Sequence, residues 1–164
     1  FTSWQLAMSL ESSKSNNLEK FITVQPEYSL LNRDIEAELI PACEYYNIGI
    51  LPYFPLASGA LTGKYKRGED LPEGTRLGEN KERAGQILTS DTFSLLESLE
   101  IFAKARNKSL LDLAFAWLLA NPLVSSVIAG ATKPEQVVAN ARTASWKLTK
   151  TEVNEVNEIL NNHK

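Results

Sequence analysis

The chain has 164 residues, of which 43% are hydrophobic and 23% charged, and its formal net charge is -3. This composition is typical of a globular domain with a core of its own, and the charge argues against nucleic acid or acidic membranes as partners. One cysteine, Cys43, and one histidine, His163, exclude an internal disulfide and argue against a zinc site built from this chain alone.

The longest apolar run, 113–120, is much shorter than the roughly 20 residues that cross a bilayer. We therefore expect no membrane partner and a soluble, cytoplasmic location.

Helical and extended patterns alternate along the chain, as they do in parallel β/α units. The predicted elements, in chain order, are a helix from the cap Thr2 to about residue 13, a strand at 21–25, a helix at 35–46, a strand at 48–53, helices from Asp91 and from the cap Ser109, a strand at 126–129, a helix from Thr132 to about residue 144, and a final helix from the cap Thr149. Pro41 should kink the second helix or begin a new segment.

The stretch 55–90 shows no periodic pattern and is rich in Gly, Lys, Glu and Pro. It is too long for a simple connection between two elements, so we expect a functional loop, a disordered segment, or both.

Two segments, 53–65 and 127–140, each combine a strand with a loop suited to a phosphorylated ligand. In the second, Gly130 lets a ligand approach the backbone closely, and Thr132 with Glu135 forms a capping box for the helix that follows. A helix N-terminus offers unpaired N–H groups to a phosphate. An ordinary strand–loop–helix joint explains the second segment alone, but the pair in this order indicates a phosphate-binding site.

Together with 1–5, 24–33 and 115–119, these segments resemble the aldo-keto reductases, and the resemblance covers essentially the whole chain. It implies an α/β fold, the C-terminal portion of a (β/α)8 TIM barrel with an added C-terminal helix. A complete barrel takes about 250 residues. The Ser-Asn pair and the catalytic Asp, Tyr, Lys and His of the family would all stand upstream of Phe1. Residues 1–164 are therefore expected to form the C-terminal half of one barrel domain, without catalytic residues and inactive alone, whose partner is the N-terminal half.

The resemblance also implies the residues of an NADP(H) site. Gln25 would hold the nicotinamide, on which Tyr53 would stack, and Gln136 would reach the 2′-phosphate. The implied cofactor-binding residues are Gln25, Tyr53, Phe54, Pro55, Leu56, Ala57, Ser58, Gly59, Lys64, Arg76, Gly130, Ala131, Thr132, Gln136 and Asn140. Without the resemblance, Tyr53 would be interpreted as a core aromatic. For Arg76, a solvated surface residue is nearly as good an interpretation as a cofactor contact, because 64–83 mixes basic and acidic residues. Phe54 replaces a common serine, and Ala139 replaces a common acid.

The leading functional hypothesis is NADPH-dependent reduction of a small aldehyde or ketone by hydride transfer. An alternative is a cofactor-binding, redox-sensing regulatory subunit with little turnover, like the family members that attach to potassium channels. A third is an isolated half-barrel that pairs with a second half. Nucleotide hydrolysis is not expected, since the loop at Gly59 and Lys64 lacks the spacing of a P-loop.

Overall fold

The computed structural model describes residues 1–163 and is mostly helical. Its helices are α1 (Ser3–Ser15), α2 (Leu39–Tyr46), α3 (Lys81–Ile87), α4 (Ser90–Lys104), α5 (Leu110–Leu119), α6 (Pro134–Thr143) and α7 (Lys150–Asn162), and its strands are β1 (Thr23–Val24) and β2 (Gly49–Ile50). Short 3-10 segments occur at Asp34–Glu36 and within Ala57–Thr62, where the backbone of Ser58 and Gly59 is not helical. Among the described residues, no helix is both long and apolar enough to cross a membrane.

The strands pair in parallel, as the alternating pattern predicts. In the register of β1 and β2, Val24 lies opposite Ile50. Further parallel bridges join Glu27 to Tyr53 and Ile50 to Val124. The ladders are shorter than the predicted strands at 21–25 and 48–53, but they bring the carboxyl ends of the extended segments to one edge.

The third extended segment pairs earlier than predicted. The prediction of a strand at 126–129 is wrong: the bridging residue is Val124, and no strand is formed at 126–129. A turn causes the shift, because the N–H of Val124 donates to the carbonyl of Asn121 at 3.0 Å and so brings the chain beside Ile50. The N–H of Ile128 still donates to the carbonyl of Pro52 at 2.9 Å.

Helix starts follow local capping chemistry in most cases. Helices α1, α5 and α7 begin at the predicted caps Thr2, Ser109 and Thr149, and each of these residues forms a capping box. Pro41 lies in the first turn of α2, where its missing N–H needs no helical partner, so it belongs to a new segment instead of breaking a long helix.

Two predicted starts are wrong. Helix α6 begins at Pro134 with Lys133 as its N-cap, and no capping box of Thr132 and Glu135 forms. Proline at the first helical position has the backbone angle that a helix start requires, which moves the start beyond Thr132. Helix α4 begins one residue earlier than predicted, because the side chain of Thr89 accepts a hydrogen bond from the N–H of Thr92.

The stretch 55–90 is more structured than its sequence indicates. It contains a 3-10 turn and helix α3, and it has a small hydrophobic cluster of Tyr65, Leu77 and Ala84. The N–H of Leu77 donates to the hydroxyl of Tyr65 at 3.4 Å. The sequence does not predict this cluster, because its members are spaced with neither the helical nor the strand period and Gly and Pro residues lie between them.

The main core lies between α4, α5 and α7. Leu99, Leu113 and Val156 are fully buried there. A second cluster, under the paired strands, includes Ile48 and Ile50. Helix α7 therefore packs on α4 and α5 in the main core.

Candidate functional site

A cavity of about 610 Å³ lies at the carboxyl ends of the extended segments, between the turn that follows β2 and the start of α6. A volume of this size is ordinary for a cofactor or small-molecule site. It is lined by Tyr53, Phe54, Pro55, Leu56, Ser58, Gly59, Thr62, Lys64, Gly74, Thr75, Arg76, Leu111, Ile128, Gly130, Thr132, Gln136, Ala139 and Asn140. Of the residues that the sequence indicates for a cofactor site, Gln25, Ala57 and Ala131 are absent from this lining.

The turn after β2 has an unusual backbone. Phe54, Ala57 and Ser58 are left-handed, with φ values of 51°, 45° and 58°, and Gly59 follows at 95°. Left-handed conformations cost non-glycine residues about 1–2 kcal/mol each. Such strain occurs where a particular backbone shape is needed, as in ligand clamps. Phe54, Ser58 and Gly59 of this turn contribute to the lining of the cavity.

Two glycines of this cavity each face a cation. A Cβ atom on Gly59 would lie 2.9 Å from Nζ of Lys64, and one on Gly130 would lie 3.3 Å from Nη2 of Arg76. Glycine thus leaves room for a positive group close to the backbone at both walls. A negatively charged ligand in this cavity would therefore have two cations in its lining.

The cations of the cavity have no carboxylate partner within residues 1–163. Salt bridges occupy Arg33, Arg67 and Arg106, and also Lys66 and Lys104, all outside this cavity. Lys64 and Arg76 instead contact aromatic faces, with 5.0 Å from Nζ to the ring of Tyr65 and 5.9 Å from the Arg76 guanidinium to the ring of Phe54. Their charge remains available for phosphate groups.

Tyr53 stands at the rim of the cavity. Its backbone is held by β-type hydrogen bonds, since its N–H donates to the carbonyl of Pro26 at 3.0 Å. Its ring is 37% exposed and meets Phe54 edge-on at 5.3 Å between centroids. A rigid backbone and an accessible ring suit a flat ligand that stacks there. Gln25 is exposed and lies outside the cavity lining.

Gln136 and Asn140 line the far wall together, as their spacing of one helical turn predicts. Oε1 of Gln136 accepts hydrogen bonds from the N–H of Thr132 at 2.7 Å and from its hydroxyl at 3.3 Å. Gln136 therefore fills the capping role that the sequence assigned to Glu135. Its amide N–H groups remain for a ligand.

Several cavity residues carry no signal in the sequence. Thr62, Gly74 and Thr75 belong to the irregular stretch, and Leu111 lies on α5, far along the chain. Only the folded arrangement places them here. The neighbourhood of Arg76 could have suggested Gly74 and Thr75, because all three share one short turn.

Two groups with shifted pKa values lie outside the cavity. Burial, and then the carboxylate of Glu36, raise the pKa of Tyr28 far above its ordinary value, and the Tyr28 hydroxyl donates to Oε1 of Glu36 at 2.9 Å. Burial also raises the pKa of Cys43, which is fully buried. Both side chains therefore stay neutral and belong to the packing.

The structure is an α/β fragment with its cavity at the carboxyl ends of parallel strands, which is where such proteins bind ligands. Comparison with known proteins makes the class specific: the chain belongs to the aldo/keto reductase family, whose model matches residues 1–161.

Individual relatives are named for different functions. The chain is 44% identical, over 74% of its length and 38% of the relative's, to a probable voltage-gated potassium channel subunit beta of Oryza sativa subsp. japonica. It is 36% identical, over 72% of its length and 35% of the relative's, to the L-glyceraldehyde 3-phosphate reductase of Escherichia coli O157:H7.

The glycerol dehydrogenase AKR11B4 from Gluconobacter oxydans is similar in structure, with a TM-score of 0.75 and 30% identity. That match covers 90% of this chain and 45% of the other. The chain therefore spans less than half the length of the relatives it matches.

Proposed function

We propose that the protein is an NADPH-dependent carbonyl reductase and that this chain supplies its cofactor-binding half. The observation that carries the proposal is the pair of cations, Lys64 and Arg76, which lack carboxylate partners in residues 1–163 and lie close to Gly59 and Gly130 in the lining of one cavity. A dinucleotide with a pyrophosphate and a 2′-phosphate needs such charges at separate points.

Each wall of the cavity has a role in this proposal. The left-handed turn 54–59 presents its backbone to the pyrophosphate, with Lys64 close to the turn at Gly59. Gln136 and Arg76 hold the 2′-phosphate, and Asn140 contacts the adenine. Tyr53 fixes the nicotinamide at the rim, together with Gln25, which directly follows β1 and lies outside the cavity lining. The bound cofactor would supply the hydride for reduction of the carbonyl carbon.

The group that donates the proton is proposed to lie outside this chain. Residues 1–164 are proposed to form the C-terminal half of a barrel, since the two phosphate-site segments follow the order of the family's second half. The small aldehyde or ketone would bind where this half meets the N-terminal half, which brings the catalytic tyrosine. The parallel edges of β1 and of the segment at Val124 give such a half two strands to pair with.

A regulatory role is the second candidate. The similarity that favours it is the 44% identity to a probable voltage-gated potassium channel subunit beta. In that case the same cavity binds NADPH, but turnover is slow and the oxidation state of the cofactor is the signal. Both candidates require NADPH binding, so a binding measurement does not distinguish them. The rate at which the intact protein reduces aldehydes does.

Titration of NADPH into the intact protein tests the proposal. Lys64→Met and Arg76→Met should each weaken binding about 10- to 100-fold, because each removes a charged hydrogen-bond donor. Arg142→Met is the matched control, since Arg142 is exposed, is not in any ion pair of residues 1–163 and lies outside the cavity. Unchanged affinity in both cavity variants would overturn the proposed site.

A further inference from the structure

Arg83 connects helix α3 to the strained turn 54–59. It lies on the first turn of α3, where its own N–H donates to Oδ1 of Asn80 at 2.9 Å. Its side chain reaches back to the turn: Nε donates to Oγ of Ser58 at 3.1 Å, and the guanidinium lies 5.3 Å from the ring centroid of Phe54. One side chain therefore touches both ends of the turn.

Those two contacts fall on left-handed residues. Phe54 has a φ of 51° and Ser58 a φ of 58°, and neither is a glycine. Strained conformations persist only when the surrounding structure holds them. The hydroxyl of Ser58 is buried, and Arg83 is the side chain that donates to it. Loss of this partner would leave a buried polar group without its hydrogen bond and the turn without a restraint.

Arg83 contacts the turn from the side opposite to the proposed cofactor cavity. It is absent from the lining of the 610 Å³ cavity and instead lines a second cavity of about 500 Å³. Phe54 and Ser58 line both cavities and form the wall between them. Arg76, by contrast, lines the 610 Å³ cavity, and its guanidinium lies 5.9 Å from the ring centroid of Phe54. Arg76 can thus touch a ligand there, whereas Arg83 meets the turn.

We propose that Arg83 is a positioning residue that holds the turn 54–59 in its left-handed shape and so presets the backbone for the cofactor's pyrophosphate. The inference rests on the proposed function. NADPH and NADH share the pyrophosphate, so Arg83 affects the affinity for both by the same factor. A direct contact with the 2′-phosphate would affect NADPH alone.

The variant Arg83→Met tests this in the intact protein, because methionine keeps an aliphatic stem and removes the guanidinium. Titrations should show affinities for NADPH and NADH about three- to tenfold weaker, with their ratio unchanged. Adding Ser58→Gly should recover most of the loss, since glycine adopts a positive φ without strain and needs no partner for a hydroxyl. Lys81→Met, an exposed change on the same turn of α3, is the control and should leave both affinities unchanged.

Hydrogen exchange in the absence of cofactor gives a second readout. The backbone amides of 56–59 should exchange faster in Arg83→Met than in the parent, and Ser58→Gly should not reverse the difference completely. If α3 itself unfolds in Arg83→Met, Arg83→Gln carries the same expectations with a helix-favouring side chain.

Two results would overturn the positioning role. One is a loss confined to NADPH, which would make Arg83 a direct ligand. The other is unchanged exchange together with unchanged affinity. Failure of the parent to bind either cofactor would instead count against the proposed function, and the exchange comparison would still decide whether Arg83 holds the turn.

Discussion

Oε1 of Gln136 accepts a hydrogen bond from the backbone N–H of Thr132 at 2.7 Å. This contact fixes which end of the amide faces the cavity, because the oxygen is occupied and the two N–H donors are left. A side chain oriented in this way can donate to an anion without first rearranging.

Gln136→Ala should therefore weaken NADPH binding more than NADH binding. The neutral amide donates to a dianion, so the loss should lie between about 10- and 150-fold for NADPH. Gln136→Glu should weaken NADPH binding relative to NADH binding still more, since it keeps the acceptor for Thr132 and places a negative charge beside the 2′-phosphate. Gln86→Ala, an exposed glutamine outside this cavity, is the control. Equal losses for both cofactors in titrations would mean that Gln136 does not touch the 2′-phosphate.

The chemistry of this wall was predictable from the sequence, but its local geometry was not. Thr132 and Glu135 have the spacing of a capping box, yet Pro134 moves the helix start and Gln136 takes the capping role. In the expected box Glu135 would accept from the N–H of Thr132, whereas in the structure Gln136 accepts from it, and a spacing rule alone does not decide between these two neighbouring acceptors. The capping boxes at Thr2 and Thr149 have no such competitor and were predicted correctly.

Features that depend on distant parts of the chain could not be predicted at all. The contact between Arg83 and Ser58 requires the path of the whole intervening segment, which has no period. The pairing of Val124 with Ile50 depends on a turn at Asn121, whereas the apolar run that predicts a strand begins later. The parallel order was predictable because alternation of helices and strands restricts topology strongly.

Arg106 should contribute to the attachment of α7. Its guanidinium donates to Glu152 at 3.0 Å and to Glu155 at 2.6 Å, and it lies 3.7 Å from the ring centroid of Phe102 on α4. Arg106→Met should lower the free energy of unfolding by about 1–2 kcal/mol, a value reduced by the partial exposure of the pairs. Urea unfolding measures this, and Arg142→Met should change it by less than about 0.5 kcal/mol. Equal effects of the two variants would contradict the role of Arg106.

The same cluster predicts a pH dependence. Hydrogen bonds from the backbone and hydroxyl of Thr149, and then Arg106, hold the pKa of Glu152 below its ordinary value. Because the pKa is lower in the folded state, the stabilisation is complete above the unfolded value of about 4.3 and is lost as the pH falls through the folded pKa. Glu152→Gln should therefore destabilise the protein at pH 7 more than at pH 3. If the urea midpoints of the parent and of Glu152→Gln differ by the same amount at pH 7 and pH 3, the prediction is wrong.

The segment 66–90 should exchange its amides faster than α5 when no cofactor is bound. Its hydrophobic cluster is small, whereas α5 is buried along most of its length, including Leu113 and Leu118. Regions with few buried apolar contacts open at low free-energy cost. Hydrogen exchange by mass spectrometry should show this difference and added protection with NADPH. Protection in the cofactor-free protein equal to that of α5 would argue against a gating role.

The 164-residue chain alone should not reduce carbonyl compounds. A proton donor needs an accessible tyrosine with a basic partner, and Tyr65, the tyrosine beside Lys64, does not qualify. Tyr65 lies 5.0 Å from Nζ of Lys64, but it is 4% exposed and its hydroxyl accepts from Leu77. His163 hydrogen-bonds Ser98 at 3.1 Å and is absent from the lining of the 610 Å³ cavity. NADPH oxidation with a panel of aldehydes should stay at the buffer rate, and it should rise when an N-terminal half of the barrel is added. Turnover by the purified chain itself would show that its residues include a proton donor after all, and that the catalytic group had been placed in the wrong half.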